Sequence, residues 1–173
     1  MKLIVIYESK TGFTKQYAEW IASELNCETV PVKKCTVNLD EYDYIIYGEP
    51  FISGYLRQLD KFYRKEYRNK LIVFTTGVAP MERTYFQEHM WEGNLTSEDR
   101  EVIPFFYMQA GIDFEHMPSS YRRLVEINRN GLKEKEDKTV QDELMYQHLT
   151  HSEDYSKKEY IQPLVDYVRG LEK

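Results

Sequence analysis

Residues 8–14, ESKTGFT, gather three hydroxyl side chains around one glycine. Ser9, Thr11 and Thr14 can surround an anion with donors, Gly12 permits close backbone approach, and Lys10 and Phe13 complete the loop. A helix beginning at its end would add free amides and a favourable potential, so the segment is a candidate cradle for a phosphate held without metal. The spacing is not GxxxxGK followed by Ser or Thr, as nucleotide hydrolysis needs, nor the GxGxxG of a dinucleotide pyrophosphate site. The same turn also serves as a plain capped connection. Two further loops bear on that choice. GEPFISG at 48–54 supplies Pro50, Phe51, Ile52, Ser53 and Gly54, and TTGVAPM at 75–81 supplies Thr75, Thr76 and Gly77.

These loops need elements that bring them together. KLIVIY at 2–7 is a short, β-branched apolar run, the pattern of a buried parallel strand. After it, Tyr17, Ala18, Ile21, Ala22 and Leu25 recur at helical spacing. ETVPV at 28–32 contains Pro31, which suits an edge strand, where a missing amide donor is tolerated. YIIYG at 44–48 and LIVFT at 71–75 predict central strands, and VIPFFYM at 102–108 a fifth. Leu56, Leu59, Phe62 and Tyr63 predict a crossover helix, and Ile161, Leu164, Val165 and Val168 a closing one. The alternation predicts a doubly wound α/β domain over residues 1–173. The three loops then meet outside the carboxyl ends of the strands, where open parallel sheets bind ligands. Two irregular excursions are expected, at about 79–101 and 111–156. The first holds a helix around Glu82 to Trp91; the second holds a short helix near Tyr121, Leu124 and Val125, and a solvated charge run, KEKEDK, at 133–138.

Composition narrows the function classes. With 42% hydrophobic and 30% charged residues the chain is neither disordered nor a membrane protein. The first apolar run is too short for a signal-peptide core or a span, and a cytoplasmic location is expected. Cys27 and Cys35 supply neither a disulfide framework nor a zinc site, and His148 and His151 read as surface residues. A net charge of -6 argues against nucleic acid and for basic or neutral redox partners. The fifteen tyrosines, without a basic groove, belong to cores and pockets.

The first loop resembles the phosphate loop of the flavodoxin family, which reads Ser or Thr, any residue, Thr, Gly, any residue, Thr. Ser9, Thr11, Gly12 and Thr14 match it, and Gly48 and Gly54 look like the glycines bounding the family's next loop. The resemblance covers residues 1–78, returns at 102–112 and includes the last helix. Length and the run from Met108 look closest to flavodoxin-like proteins of the menaquinone-dependent protoporphyrinogen oxidase group. This resemblance implies a three-layer sandwich with a five-stranded parallel sheet in the order 2-1-3-4-5. It also implies flavin mononucleotide (FMN), with its phosphate on the first loop and its ring between the other two. Phe13 stands where many electron-carrying flavodoxins have Asn, so backbone donors replace a side-chain contact there. Phe51 and Tyr55 are candidates to cover one ring face, and Trp91 or Tyr85 the other.

The chemistry then resides on the flavin, and no protein nucleophile is required. TTGVAPM has no acid before Glu82, which predicts a less negative potential than in low-potential carriers. The implied function is an FMN oxidoreductase acting on a quinone- or porphyrinogen-type substrate, with a protein or small-molecule electron donor or acceptor. An electron carrier for a protein partner and a flavin-free interaction module on the same fold stay open.

Overall fold

The structure, a computed structural model, describes residues 1–52, 54–59, 65–81, 90 and 92–171. Five parallel strands form one sheet: β1 (Leu3–Tyr7), β2 (Glu28–Pro31), β3 (Tyr44–Pro50), β4 (Leu71–Gly77) and β5 (Phe105–Gln109). Their order is β2-β1-β3-β4-β5, the topology that the family resemblance implies. Among the described residues the longer helices are α1 (Phe13–Leu25), α2 (Ser119–Glu134), α3 (Val140–His148) and α4 (Gln162–Gly170).

Residues of a strand alternate between faces, and here both faces are covered, which is why β1 is apolar at every position. Leu3, Val5, Tyr7, Ile46, Ile72 and Phe74 pack under α1 and α4, meeting Tyr17, Ala18, Ile21, Leu164, Val165 and Val168. On the other face Ile4, Ile6, Ile45, Tyr47, Leu71 and Val73 pack against Leu56, Leu59 and Tyr67. A Cβ on Gly48 would sit 2.0 Å from the Phe74 ring, so the close contact between β3 and β4 requires glycine there. Leu56 and Leu59, from the expected crossover helix, are buried; its Phe62 and Tyr63 lie outside the described residues, as does all but Met90 of the helix expected around Glu82 to Trp91.

Two expectations change. The fifth strand starts at Phe105 rather than at 102: the amides of Val102 and Ile103 are taken by the Asp99 carbonyl, and Pro104 has no amide to offer the ladder. The stretch 111–156 is not irregular but holds α2 and α3, joined by five residues, 135–139. Its charge run, 133–138, is exposed throughout, as expected; Lys133 and Glu134 close α2, and Lys135 reaches the buried carboxylate of Asp142.

The strands carry their loops to one edge in register. Tyr7 lies opposite Gly48, Pro50 opposite Thr76, and Gly77 opposite Gln109. One more ladder bond follows each: Glu8 N to Gly48 O at 2.8 Å, Phe51 N to Thr76 O at 2.8 Å, and Ala110 N to Gly77 O at 2.7 Å.

Candidate functional site

The first loop ends at Gly12, whose φ of 98° lies in the left-handed region, so glycine is the residue suited to this helix start. The Gly12 amide donates to Ser9 Oγ at 3.2 Å, which makes Ser9 a brace within the turn. Among the described residues no side chain caps α1, and its first turn carries no acidic residue. The amino end of a thirteen-residue helix is therefore left to an outside acceptor, and nothing lies within 4 Å of where a Gly12 Cβ would stand. That arrangement fits a phosphate monoester. Lys10 adds a cation, held by the buried Glu8 carboxylate; this hydrogen bond raises the lysine above its usual range.

Thr14 points inward and ties the first loop to the third: its Oγ1 is 2.8 Å from Thr76 Oγ1, and both residues are 2% exposed. In the second loop Gly54 has φ 91°, and Ile52 and Tyr55 exchange backbone hydrogen bonds of 3.2 Å across the turn. Glu49 fixes the start of the next segment by accepting from Leu59 N at 2.9 Å and Gln58 N at 2.9 Å. Asn94 closes the turn from outside, accepting from Leu56 N at 2.6 Å and donating to Gly54 O at 3.0 Å. The third loop is held by Tyr107, whose hydroxyl donates to Ala79 O at 2.7 Å, and by His148, whose Nδ1 lies 3.0 Å from Val78 O. His148 is itself stacked on Tyr155 with ring centroids 4.1 Å apart, so it is a half-buried brace of the third loop rather than a loose surface group.

All three loops open on one cavity of about 840 Å³. Lys10, Thr11, Phe13 and Thr14 line it from the first loop, and Pro50, Phe51, Ile52 and Gly54 from the second. Thr76 and Gly77 line it from the third. Ser9 and the exposed Gly12 are not part of the lining, and Ser53 lies outside the described residues. Thr75 does not reach the cavity: it is fully buried, and its hydroxyl donates to Glu49 O at 2.8 Å. Tyr55 is 59% exposed and also outside the lining, whereas Phe51 is half-buried within it. Tyr85 and Trp91 lie outside the described residues. Among the described residues no group of three His, Cys, Asp or Glu could hold a metal ion.

A family model of the flavodoxin domain matches residues 4–139, more than half the chain. The chain belongs to the flavodoxin domain family. Membership implies a flavin cofactor, and the bare helix start with its adjoining slot suits one. No curated protein matches the chain. Among solved structures, oxidised flavodoxin 2 from Bacillus cereus is 17% identical with a TM-score of 0.39, covering 86% of this chain and 95% of that one. A flavodoxin from the domain Archaea is 22% identical with a TM-score of 0.38, covering 73% and 96%.

Several parts of this flavodoxin-family site were not singled out by motif. Gly111 lines the cavity so tightly that a Cβ would stand 2.2 Å from Glu153 O and 2.5 Å from the Phe13 ring. Its neighbour Ile112 bridges to Glu153 through paired backbone bonds of 2.9 and 3.0 Å, which anchors the return of the α2–α3 segment. Tyr121, Leu124, Val125 and Leu132 turn one face of α2 into a cavity wall, and Met145 and Leu149 extend it from α3. Residues 124, 125, 128 and 132 share that side because a helix repeats every 3.6 residues, a signal present in the sequence but readable there only as an amphipathic stripe.

Proposed function

We propose that this protein binds FMN and acts as an FMN-dependent oxidoreductase on a quinone- or porphyrinogen-type substrate in the cytoplasm. The observation that carries the reading is the uncapped amino end of α1 opening, beside Thr11 and Lys10, onto the same cavity as Phe51, Ile52 and Gly77. Anionic and flat apolar features of one ligand are thus served by one continuous space.

FMN would supply the electron transfer itself. The α1 amides, Thr11 and Lys10 would hold the phosphate, and Phe51, Ile52, Gly54 and residues 77–79 would hold the ring. The Thr14–Thr76 bond keeps the phosphate loop and the ring loop at a fixed separation. Glu8 and Glu49 are the buried acids beneath these loops, and each is compensated, Glu8 by Lys10 and Glu49 by two backbone amides. No uncompensated carboxylate lies in residues 75–81, which supports a potential less negative than that of low-potential carriers. The roof made by α2 and α3 favours a substrate-converting enzyme over a simple carrier, because it extends an apolar wall beyond the three loops. Two unpaired, half-buried cysteines suit a reducing compartment, and burial raises both thiols above their usual range.

Titrating the purified protein with FMN and with riboflavin tests this directly. FMN should bind one per chain and outbind riboflavin by on the order of a hundredfold, as two charge-assisted hydrogen bonds would supply. Equal affinity for both would remove the phosphate cradle, and no binding of either would remove the redox reading. Turnover of a quinone or a porphyrinogen by the loaded protein, against reduction by a reductase protein alone, separates enzyme from carrier.

A further inference from the structure

Helix α2 has a second face. At 100° per residue, Arg122, Arg123, Glu126, Asn130, Lys133 and Glu134 fall on the side away from Leu124, Val125 and Leu132, and Arg129 stands at its edge, one turn from Val125. Arg122, Arg123 and Lys133 are exposed and Arg129 is half-buried. Among the described residues none of the four pairs with a carboxylate; Arg122 donates only to the Phe114 carbonyl. Four cations against two acids give this stripe a charge of +2, so the rest of the chain carries -8 to reach the total of -6.

From this we infer that the outer face of α2 is the docking surface for an acidic redox partner protein. The inference rests on the FMN reading, and it reverses the partner charge that the net composition suggests. A local field governs encounter more than net charge does, because charges farther than a Debye length are screened. Location selects the partner class. The stripe stands one helix diameter, about 10–12 Å, from the cavity that the same helix walls, so a docked electron carrier lies close to the ring site. A bilayer surface is the poorer occupant: the apolar face of α2 is turned into the cavity, and only Ile127, 58% exposed, stands at the border of the basic stripe.

The test is a titration of isotope-labelled, cofactor-free protein with an acidic two-iron ferredoxin, followed by amide shifts, with basic cytochrome c as counter-probe. Ferredoxin should shift the amides of α2, and raising the salt from low to near-physiological should weaken binding by about tenfold. The quadruple variant R122Q/R123Q/R129Q/K133Q should weaken it by about tenfold or more. Those residues support no core contact, since α2 has no buried residue, and glutamine keeps helix propensity. The charge reversal R122E/R129E should instead let cytochrome c bind at α2. Ferredoxin shifts elsewhere, salt-insensitive binding, or binding to phosphatidylserine-containing vesicles in place of ferredoxin would overturn the assignment. Because docking is read without cofactor, a failure to bind FMN would sink the cofactor reading while leaving this result standing.

Discussion

Thr14 and Thr76 form the bond that joins the first loop to the third, and its removal has a calculable cost. The two hydroxyls are 2.8 Å apart in residues 2% exposed, and among the described residues neither has another partner. Thr14→Val keeps the shape but leaves the Thr76 hydroxyl buried and unsatisfied, which costs about 1–3 kcal/mol. Thr76→Val does the same to Thr14. The double variant removes both hydroxyls together, so no orphan is left, and its loss should be no larger than either single one. Stability measured by urea unfolding of the cofactor-free protein should therefore show a coupling of at least about 1 kcal/mol across the double-mutant cycle. FMN affinity should stay reduced in the double variant, because the loops lose their fixed spacing whether or not a hydroxyl is stranded. Additivity within about 0.5 kcal/mol would refute the reasoning. It would mean that water reaches these hydroxyls, or that the loops are spaced by other contacts.

Two glycines near the site should respond differently to alanine. Gly111→Ala forces a carbon to 2.2 Å from the Glu153 carbonyl, so a loss of about 1–3 kcal/mol is expected, with faster hydrogen exchange in α2 and α3; an unchanged midpoint would contradict the contact. Gly12→Ala meets no atom within 4 Å, so its cost is conformational only, about 1–2 kcal/mol, and a larger one would require a contact not present there. Lys135 and the Thr139 amide hold Asp142 well below its ordinary 3.8, so its stabilisation is complete above that value and is lost as pH falls toward the folded one. Exchange protection of α3 should accordingly fall on acidification below about pH 4, and Asp142→Asn should remove most of that pH dependence. Thr139→Ala, which deletes the other half of the same capping box, should destabilise α3 by about 1 kcal/mol at neutral pH, read by circular dichroism during unfolding.

Most of the scaffold was already determined by local pattern. The apolar runs of β1, β3 and β4 have to be buried strands, because a parallel sheet covered on both faces admits little else, and Pro31 has to lie on an edge strand. The spacing from Tyr17 to Leu25 has to be helical, and Gly12 before it places a positive φ where the helix begins. Tertiary structure alone decided which groups reach the cavity. Thr75 and Thr76 are equivalent by composition, yet the strand pleat sends one hydroxyl to the Glu49 carbonyl and the other to Thr14. Tyr107, Gly111 and the inner face of α2 lie far along the chain from the first loop, and no local spacing announces contacts that arise only when the sheet edge and the α2–α3 segment fold over the same space. Periodicity says that a face is apolar; what fills the space opposite it is a property of the whole fold.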